Sequence, residues 1–305
     1  MIKRTFKADD IEDKFVKYGF TIIRNFINKD EIAELKAVYE ANKVVNSSRS
    51  FYVSHWIENG DSKKNIDLGL QKVLVPRAQE YLDDFIPVFA ALSVKHPAAD
   101  SAMHLHQDWA HVDEAKYRSL NFWVALDETT EKNGPICLLK GSHRLFDYVR
   151  GVALPDTFRH IGSENPAKYL TNIYLKAGDM VAWDHRVIHG SLTNVSDNIR
   201  LASVINMRPA ESEFLLFYSD PRGECKEVQV YTPERDFFIT YDSVNHPTDV
   251  EKTPMLRKYD YHDLNVQEPD LVDFLTKEFP GEFTQFEKKP VEKKPSFMAK
   301  LFSTS

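Results

Sequence analysis

Apolar positions recur at helical spacing through much of the first eighty residues, broken by one short β-like run. Asp10 to Tyr18 reads as a helix that stops at Gly19, a residue free to take the left-handed conformation that ends helices. Phe20 to Ile23 is aromatic and β-branched and predicts a strand. Asp30 is the predicted N-cap of a second helix, whose Ile32, Leu35, Val38 and Tyr39 fall at helical intervals. A third helical stretch is expected from about Asn65 to Asp84, interrupted at Pro76.

From Leu92 to Met207 the pattern changes to short apolar runs separated by turn signals. Leu120, Phe122, Val124 and Leu126 alternate with Asn121, Trp123 and Ala125, as on a strand with two different faces. Ile136 to Leu139 follows the turn at Asn133, Gly134 and Pro135, and Ile173 to Leu175 and Met180 to Trp183 flank Gly178 and Asp179. Leu201 to Met207 is a further β run, ended before Pro209. Strands so spaced suggest a sandwich or jelly roll rather than alternating β-α units, so the class is α+β, with helices before a β core. Beyond Pro209 the pattern is weaker. Glu213 to Tyr218 and Asp236 to Thr240 read as strands and Asp270 to Glu278 as a helix. The expected organisation is residues 1–210 as the jelly-roll domain with its N-terminal helices, 211–286 as an extension packed on it, and 287–305 as a charged, proline-broken, disordered tail. Phe297 to Phe302 reads as a frayed terminus rather than an interaction peptide.

Composition narrows the class. With 305 residues, 42% hydrophobic and 28% charged, the chain can bury a sizeable core. Its 39 basic against 46 acidic residues leave a net charge of −7, which argues against a nucleic-acid partner. No apolar run approaches a membrane span, and the start of the chain lacks a secretory signal. Two distant cysteines, Cys137 and Cys225, make no disulfide framework, so a cytoplasmic protein with no membrane partner is expected. Oligomeric state is not legible.

The chemistry is concentrated around His104, His106, Gln107, Asp108 and Trp109. In an extended chain His106 and Asp108 point to one side, so an imidazole and a carboxylate can reach one metal ion. A third ligand is available from Trp183 to Gly190, which contains His185 and His189. On one strand these two would share a face about 13 Å apart, too far to serve one ion together. Two histidines and a carboxylate leave open positions on octahedral Fe(II) for a bidentate co-substrate and dioxygen. Arg200 follows His189 and, on a hairpin, would return toward the metal, where a buried guanidinium calls for an anion such as a dicarboxylate. Ser191, two residues past His189, would share its face and donate to the same carboxylate.

Several blocks occur together in order. Tyr18, Gly19 and Phe20 are followed by Asn28 to Ile32, and Lys95, His96 and Pro97 precede His106, Gln107 and Asp108. Then come Trp123 to Asp127, Asn133 to Pro135, Gly141 to His143, Gly178 with Asp179, His189 to Ser191, Asn194 and Arg200. Over roughly residues 10 to 210 this pattern resembles the phytanoyl-CoA dioxygenase-like family of Fe(II)/2-oxoglutarate oxygenases. The resemblance implies a double-stranded β-helix, or cupin-like jelly roll. It implies Fe(II) on His106, Asp108 and His189, with Arg200 and Ser191 on the distal carboxylate of 2-oxoglutarate and Lys95 as a further contact to co-substrate or substrate. Two departures stand out: Lys140 occupies a position where the family usually has proline, and about 95 residues follow the last shared block.

The resulting expectation is a dioxygenase that hydroxylates an unactivated C–H of a small or mid-sized polar metabolite, consuming 2-oxoglutarate and dioxygen and releasing succinate and CO2. Asp108 favours hydroxylation over halogenation, because related halogenases lack a carboxylate there; desaturation, cyclisation and demethylation stay open. Alternatives are a carrier-tethered or acyl thioester substrate, a metal-dependent hydrolase, or a non-catalytic binding protein on a jelly-roll scaffold. Among the remaining residues, His104 and His111 read as structural or substrate-lining, His143 as structural, and Trp109 and Trp123 as core or pocket lining. Arg118, Arg150 and Arg159 read by default as solvated charge.

Overall fold

Three helices, alternating in the chain with the two edge strands of a six-stranded sheet, cover one of its faces. The computed structural model describes residues 2–42, 49–57, 59–162, 167–240, 250 and 253–282; the tail expected at 287–305, with Phe297 to Phe302, lies outside the described residues. Helix α1 (Asp9–Tyr18) ends at Gly19, whose φ of 81° lets its N–H close on Phe15 O at 2.8 Å. Helix α2 (Lys29–Ala41) is capped by Asn28, not by Asp30: the Asn28 side chain accepts from the backbone of Asp30 and Glu31, and Glu31 reaches back to the Asn28 N–H. This reciprocal capping box uses both side chains, which a cap at Asp30 would not.

Helix α3 (Gly60–Tyr81) starts earlier than expected and runs straight through Pro76. Buried side chains on both sides of the proline, Leu70, Val73 and Leu74 before it and Ala78 after it, pack in the same core. That packing offsets the roughly 3 kcal/mol cost of an interior proline. Asp67 also pins α3 to the sheet by accepting the Ala90 N–H at 2.6 Å.

The large sheet is antiparallel in the order β1-β8-β5-β10-β3-β2, from β1 (Phe20–Ile23), β2 (Phe51–Val53), β3 (Phe85–Lys95), β5 (Leu120–Ala125), β8 (Met180–Asp184) and β10 (Arg200–Pro209). The long strand β3 begins well before Leu92, where the β texture was expected to start, and β10 continues through Pro209. The two faces of β5 are as its alternation predicts: Leu120, Phe122 and Val124 join the helix-side core, while Trp123 and Ala125 join a second core inside the jelly roll. Facing them is a four-stranded sheet in the order β4-β9-β6-β7, from β4 (Met103–His106), β6 (Ile136–Leu138), β7 (Thr171–Ile173) and β9 (His189–Ser191).

The segment from Ser191 to Arg200 is not a paired hairpin. Strand β9 pairs with β4 and β6, and β10 with β3 and β5, so the chain crosses from one sheet to the other. A third sheet, β11 (Leu216–Tyr218), β12 (Glu227–Tyr231) and β13 (Met255–Asp260), lies within the same unit, Met1–Val266; β12 and β13 carried no clear sequence signal. The predicted strand at Asp236 to Thr240 is instead a helical turn, α4 (Phe237–Thr240), because Asp236 O accepts from both Ile239 and Thr240 N–H. Phe237 and Phe238 from this turn pack with Phe89 and Phe214. A second unit begins at Gln267, and its described part holds helix α5 (Glu268–Glu278).

Gly19 is the tightest junction. A Cβ there would lie 2.5 Å from both His143 Nδ1 and Val187 Cγ2, besides the left-handed φ. We expect Gly19→Ala to lower the unfolding free energy in urea by about 1–3 kcal/mol or more. Gly60→Ala, with open space around it at the first residue of α3, should change it by less than about 1 kcal/mol.

Candidate metal centre

His106 ends β4 and His189 opens β9, and the two are direct register partners across the ladder. Gly190 makes that pairing close: a Cβ there would lie 2.8 Å from Met103 O, so β9 can lie against β4 only without a side chain. Asp108 follows two residues past the end of β4. The ligand atoms of His106, Asp108 and His189 all lie within 4.8 Å of one another, with His189 Nε2 3.7 Å from Asp108 Oδ2.

Each histidine is held in one tautomer. His106 Nδ1 is 2.9 Å from His104 O and His189 Nδ1 is 2.9 Å from Val187 O, so both Nδ1–H groups donate to carbonyls and both Nε2 lone pairs remain for a metal. Burial, then the neighbouring His189, pushes His106 down to about 3. For Asp108 burial pulls upward, but His189, His185, His106 and the Trp183 indole outweigh it and hold the carboxyl below its ordinary range. A neutral His106 and an ionised Asp108 at neutral pH are the states that metal ligation requires.

A second group of residues stands beside the triad. Lys95 and Arg200 are register partners on β3 and β10. Both are buried, and Lys95 Nζ donates to Ser191 Oγ at 2.7 Å and Leu192 O at 2.6 Å. The Arg200 guanidinium lies 4.9 Å over the Trp123 ring and donates to Gly134 O at 3.2 Å, while its Nε and Nη2 are buried with no hydrogen-bond partner. Burial and the adjacent Arg200 lower Lys95 to about 7, and burial lowers Arg200 to about 10. Two buried cations, one with two unmet donors, fit a carboxylate.

Other sequence candidates fall elsewhere. His185 lies in the turn after β8, not on a strand with His189, and burial lowers its pKa. His104 is exposed, with its ring 5.6 Å from that of His106. His111 packs against His185, Phe214 and Phe238, and His143 Nε2 donates to Val16 O at 3.0 Å. Trp109 is partly buried against the aromatic cluster that includes Phe238.

Two arginines expected in solvent are withdrawn from it, Arg150 buried and Arg118 half-buried. Arg150 pairs with Glu114 at 2.7 Å and donates from Nε to Asp108 O at 2.9 Å, and Arg118 lies between Glu12 and Asp184. Each is compensated by a carboxylate, which allows burial that composition alone does not foresee.

The sequence reading missed the residues that hold Asp108. Asn121 Nδ2 donates to Asp108 Oδ2 at 2.7 Å and Trp183 Nε1 to the same oxygen at 2.8 Å. Gln107 donates to Phe146 O and Arg186 O and accepts from Thr157, tying the His106–Asp108 segment to two loops. A usable signal existed for Asn121 and Asn206: each is an amide on an otherwise largely apolar strand.

The sequence model of the phytanoyl-CoA dioxygenase family matches residues 15–202. The chain belongs to that family. It is an Fe(II)/2-oxoglutarate-dependent dioxygenase, with Fe(II) as cofactor and 2-oxoglutarate and dioxygen as co-substrates. Among its relatives, a phytanoyl-CoA dioxygenase of Arabidopsis thaliana is 22% identical over 240 residues, covering 62% of this chain and 84% of that protein. A probable alpha-ketoglutarate-dependent hypophosphite dioxygenase of Stutzerimonas stutzeri is 24% identical over 229 residues, covering 67% of this chain and 79% of the relative.

Two solved structures share the fold at low identity. The non-heme alpha-ketoglutarate-dependent carbocyclase SnoK from nogalamycin biosynthesis superposes with a TM-score of 0.50 at 16% identity, over 68% of this chain and 86% of its own. HygX from Streptomyces hygroscopicus, crystallised with nickel and 2-oxoglutarate, gives 0.50 at 11% identity, over 67% and 88%. The core is therefore the expected α+β cupin-like jelly roll. Among the described residues no helix is long and apolar enough to cross a membrane.

The buried ammonium has a pH signature. Lys95 falls to about 7 in the folded chain from an ordinary 10.5, so between these values the unfolded chain binds more protons. Stability of the ligand-free protein should rise with pH across that interval, and Lys95→Met should flatten the rise in urea midpoints.

Proposed function

We propose that His106, Asp108 and His189 hold the iron of this family member, that Arg200, Ser191 and Lys95 bind the distal carboxylate of 2-oxoglutarate, and that the enzyme hydroxylates an unactivated C–H of a small or mid-sized polar metabolite. The observation that carries the reading is the buried Arg200, with Nε and Nη2 unmet, beside Lys95 and reached through Ser191 from the strand that bears His189. A hydrolase built on the same three ligands has no use for that cationic pair.

The iron, with its co-substrates bound, supplies the oxidising power to place one oxygen atom of dioxygen in the C–H bond while the other enters succinate as CO2 leaves. The chain's own part is geometric and electrostatic. His106 and His189 offer Nε2 because their Nδ1–H groups are committed to carbonyls. Trp183 and Asn121 orient Asp108 and favour its ionised form. Trp123 stacks under Arg200 and keeps water from the guanidinium face, so an incoming carboxylate meets donors that need little reorganisation. The exposed His104, its ring 5.6 Å from that of His106, makes the surface beside the triad polar, which supports a polar substrate. The relatives' names, one for an acyl thioester and one for hypophosphite, span too wide a range to choose the molecule.

Anaerobic titration with Fe(II) and then 2-oxoglutarate is expected to give the visible charge-transfer band of a keto-acid chelate. His106→Ala and Asp108→Ala should lose iron affinity by more than the about 10–100-fold typical of outer-shell changes. Arg200→Ala should keep iron and lose the band at 2-oxoglutarate concentrations that saturate the unaltered protein. In air, a screen of polar metabolites should find one that couples succinate formation to a product one oxygen atom heavier. Iron binding without the band would overturn the co-substrate assignment.

A further inference from the structure

Asp108 lies outside any strand ladder, yet its carboxylate must hold one orientation for the iron reading above to work. The structure encloses it in a closed circuit of hydrogen bonds. Asn121 Nδ2 donates to Asp108 Oδ2 at 2.7 Å; Asn206 Nδ2 donates to Asn121 Oδ1 at 3.0 Å and to His185 Nε2 at 2.9 Å. His185 Nδ1 is 3.0 Å from Trp109 O and 3.0 Å from Ser119 Oγ. Trp109 directly follows Asp108, so the circuit returns to the backbone from which it started. Asn121, Asn206, His185 and Ser119 are all at least nine-tenths buried.

The direction of every bond follows from the carboxylate. An ionised Asp108 only accepts, so Asn121 must present its NH2 to it and its carbonyl to Asn206. Asn206 must then turn its NH2 toward both Asn121 and His185, which leaves His185 Nε2 as acceptor and puts the ring proton on Nδ1, facing Trp109 O. The arrangement carries a cost: Asn206 Oδ1 is buried with no partner. A role limited to filling space would be met by apolar side chains without that penalty.

We propose that Asn206 and His185 are positioning residues for Asp108, acting through Asn121 and through the Trp109 backbone to fix the carboxylate toward the metal. This inference rests on the assignment of Asp108 as an iron ligand. His185 thus has a place in the site without being a ligand, which accounts for a second histidine four residues before His189.

The test is binding of Mn(II), and of Fe(II) under anaerobic conditions, to the full-length metal-free protein, alongside its thermal unfolding midpoint. His185→Phe and Asn206→Leu keep bulk but break the circuit, and each is expected to weaken metal binding by about 10–100-fold. His185→Gln has an amide that can accept from Asn206 and donate to Trp109 O, and should recover most of the loss. A purely structural role would lower the midpoint and leave the affinity of folded protein as it was. Unaltered affinity in both folded His185→Phe and Asn206→Leu would overturn the proposal, and Asn206→Leu alone decides it should His185→Phe fail to fold. If the unaltered protein binds neither ion, the iron assignment fails and the positioning role falls with it. If it binds and loses the ion in His106→Ala while the circuit variants match it, only the positioning role is lost.

Discussion

A carboxylate that stays ionised between two sheets must be surrounded by donors, and much of the interior of this protein is organised around meeting that demand for Asp108. Its Oδ2 takes the Trp183 indole and the Asn121 amide, and its backbone carbonyl takes Arg150. Arg150 is itself buried and is compensated by Glu114. The chain of compensation is long because each buried polar group must find another partner before it reaches solvent. Inward-facing amides on β5 and β10 are the visible trace of it.

The opposite problem occurs where β10 begins beside the end of β3. Arg200 and Lys95 face each other on neighbouring strands with donors in excess, and among the described residues no carboxylate forms an ion pair with either. An excess of negative charge at one end and of positive charge at the other gives the interior two complementary needs, a cation and a carboxylate. Ser191, hydrogen-bonded to Lys95 on the strand that starts with His189, links the two ends. This polarity follows from the fold: the helices seal one face of the large sheet with hydrocarbon, so polar inward positions can only face the small sheet.

Much of the fold was legible in local pattern. The helix ending at Gly19, the strand at Phe20 to Ile23, the two-faced strand at Leu120 and the β texture up to Met207 all depend on interactions between near neighbours, where period and turn chemistry speak directly. The misreadings have two origins. Pro76 was expected to break a helix that packing on β3 carries through, Asp30 to cap a helix that Asn28 caps, and Asp236 to Thr240 to extend where two aromatic side chains are better buried from a helical turn. At Pro76 and at Asp236 to Thr240 tertiary packing outweighed the local preference, whereas at Asn28 one local cap, the reciprocal box with Glu31, outcompeted another.

For the site, the sequence by itself determined which residue types were present and in what order: His106 and Asp108 at strand spacing, the Gly178 to Arg200 block, and through their joint pattern the family. Only the tertiary structure decided which side chains meet. It brought His189 rather than His185 to His106, because β9 pairs in register with β4 whereas His185 lies in the turn before it. It put Arg200 opposite Lys95 by a crossover between sheets instead of a hairpin, and it made braces of Asn121, Trp183, Asn206 and Arg150. Periodicity tells which side of a strand a residue occupies; strand order and register decide what stands opposite, and those are set by the packing of the whole domain.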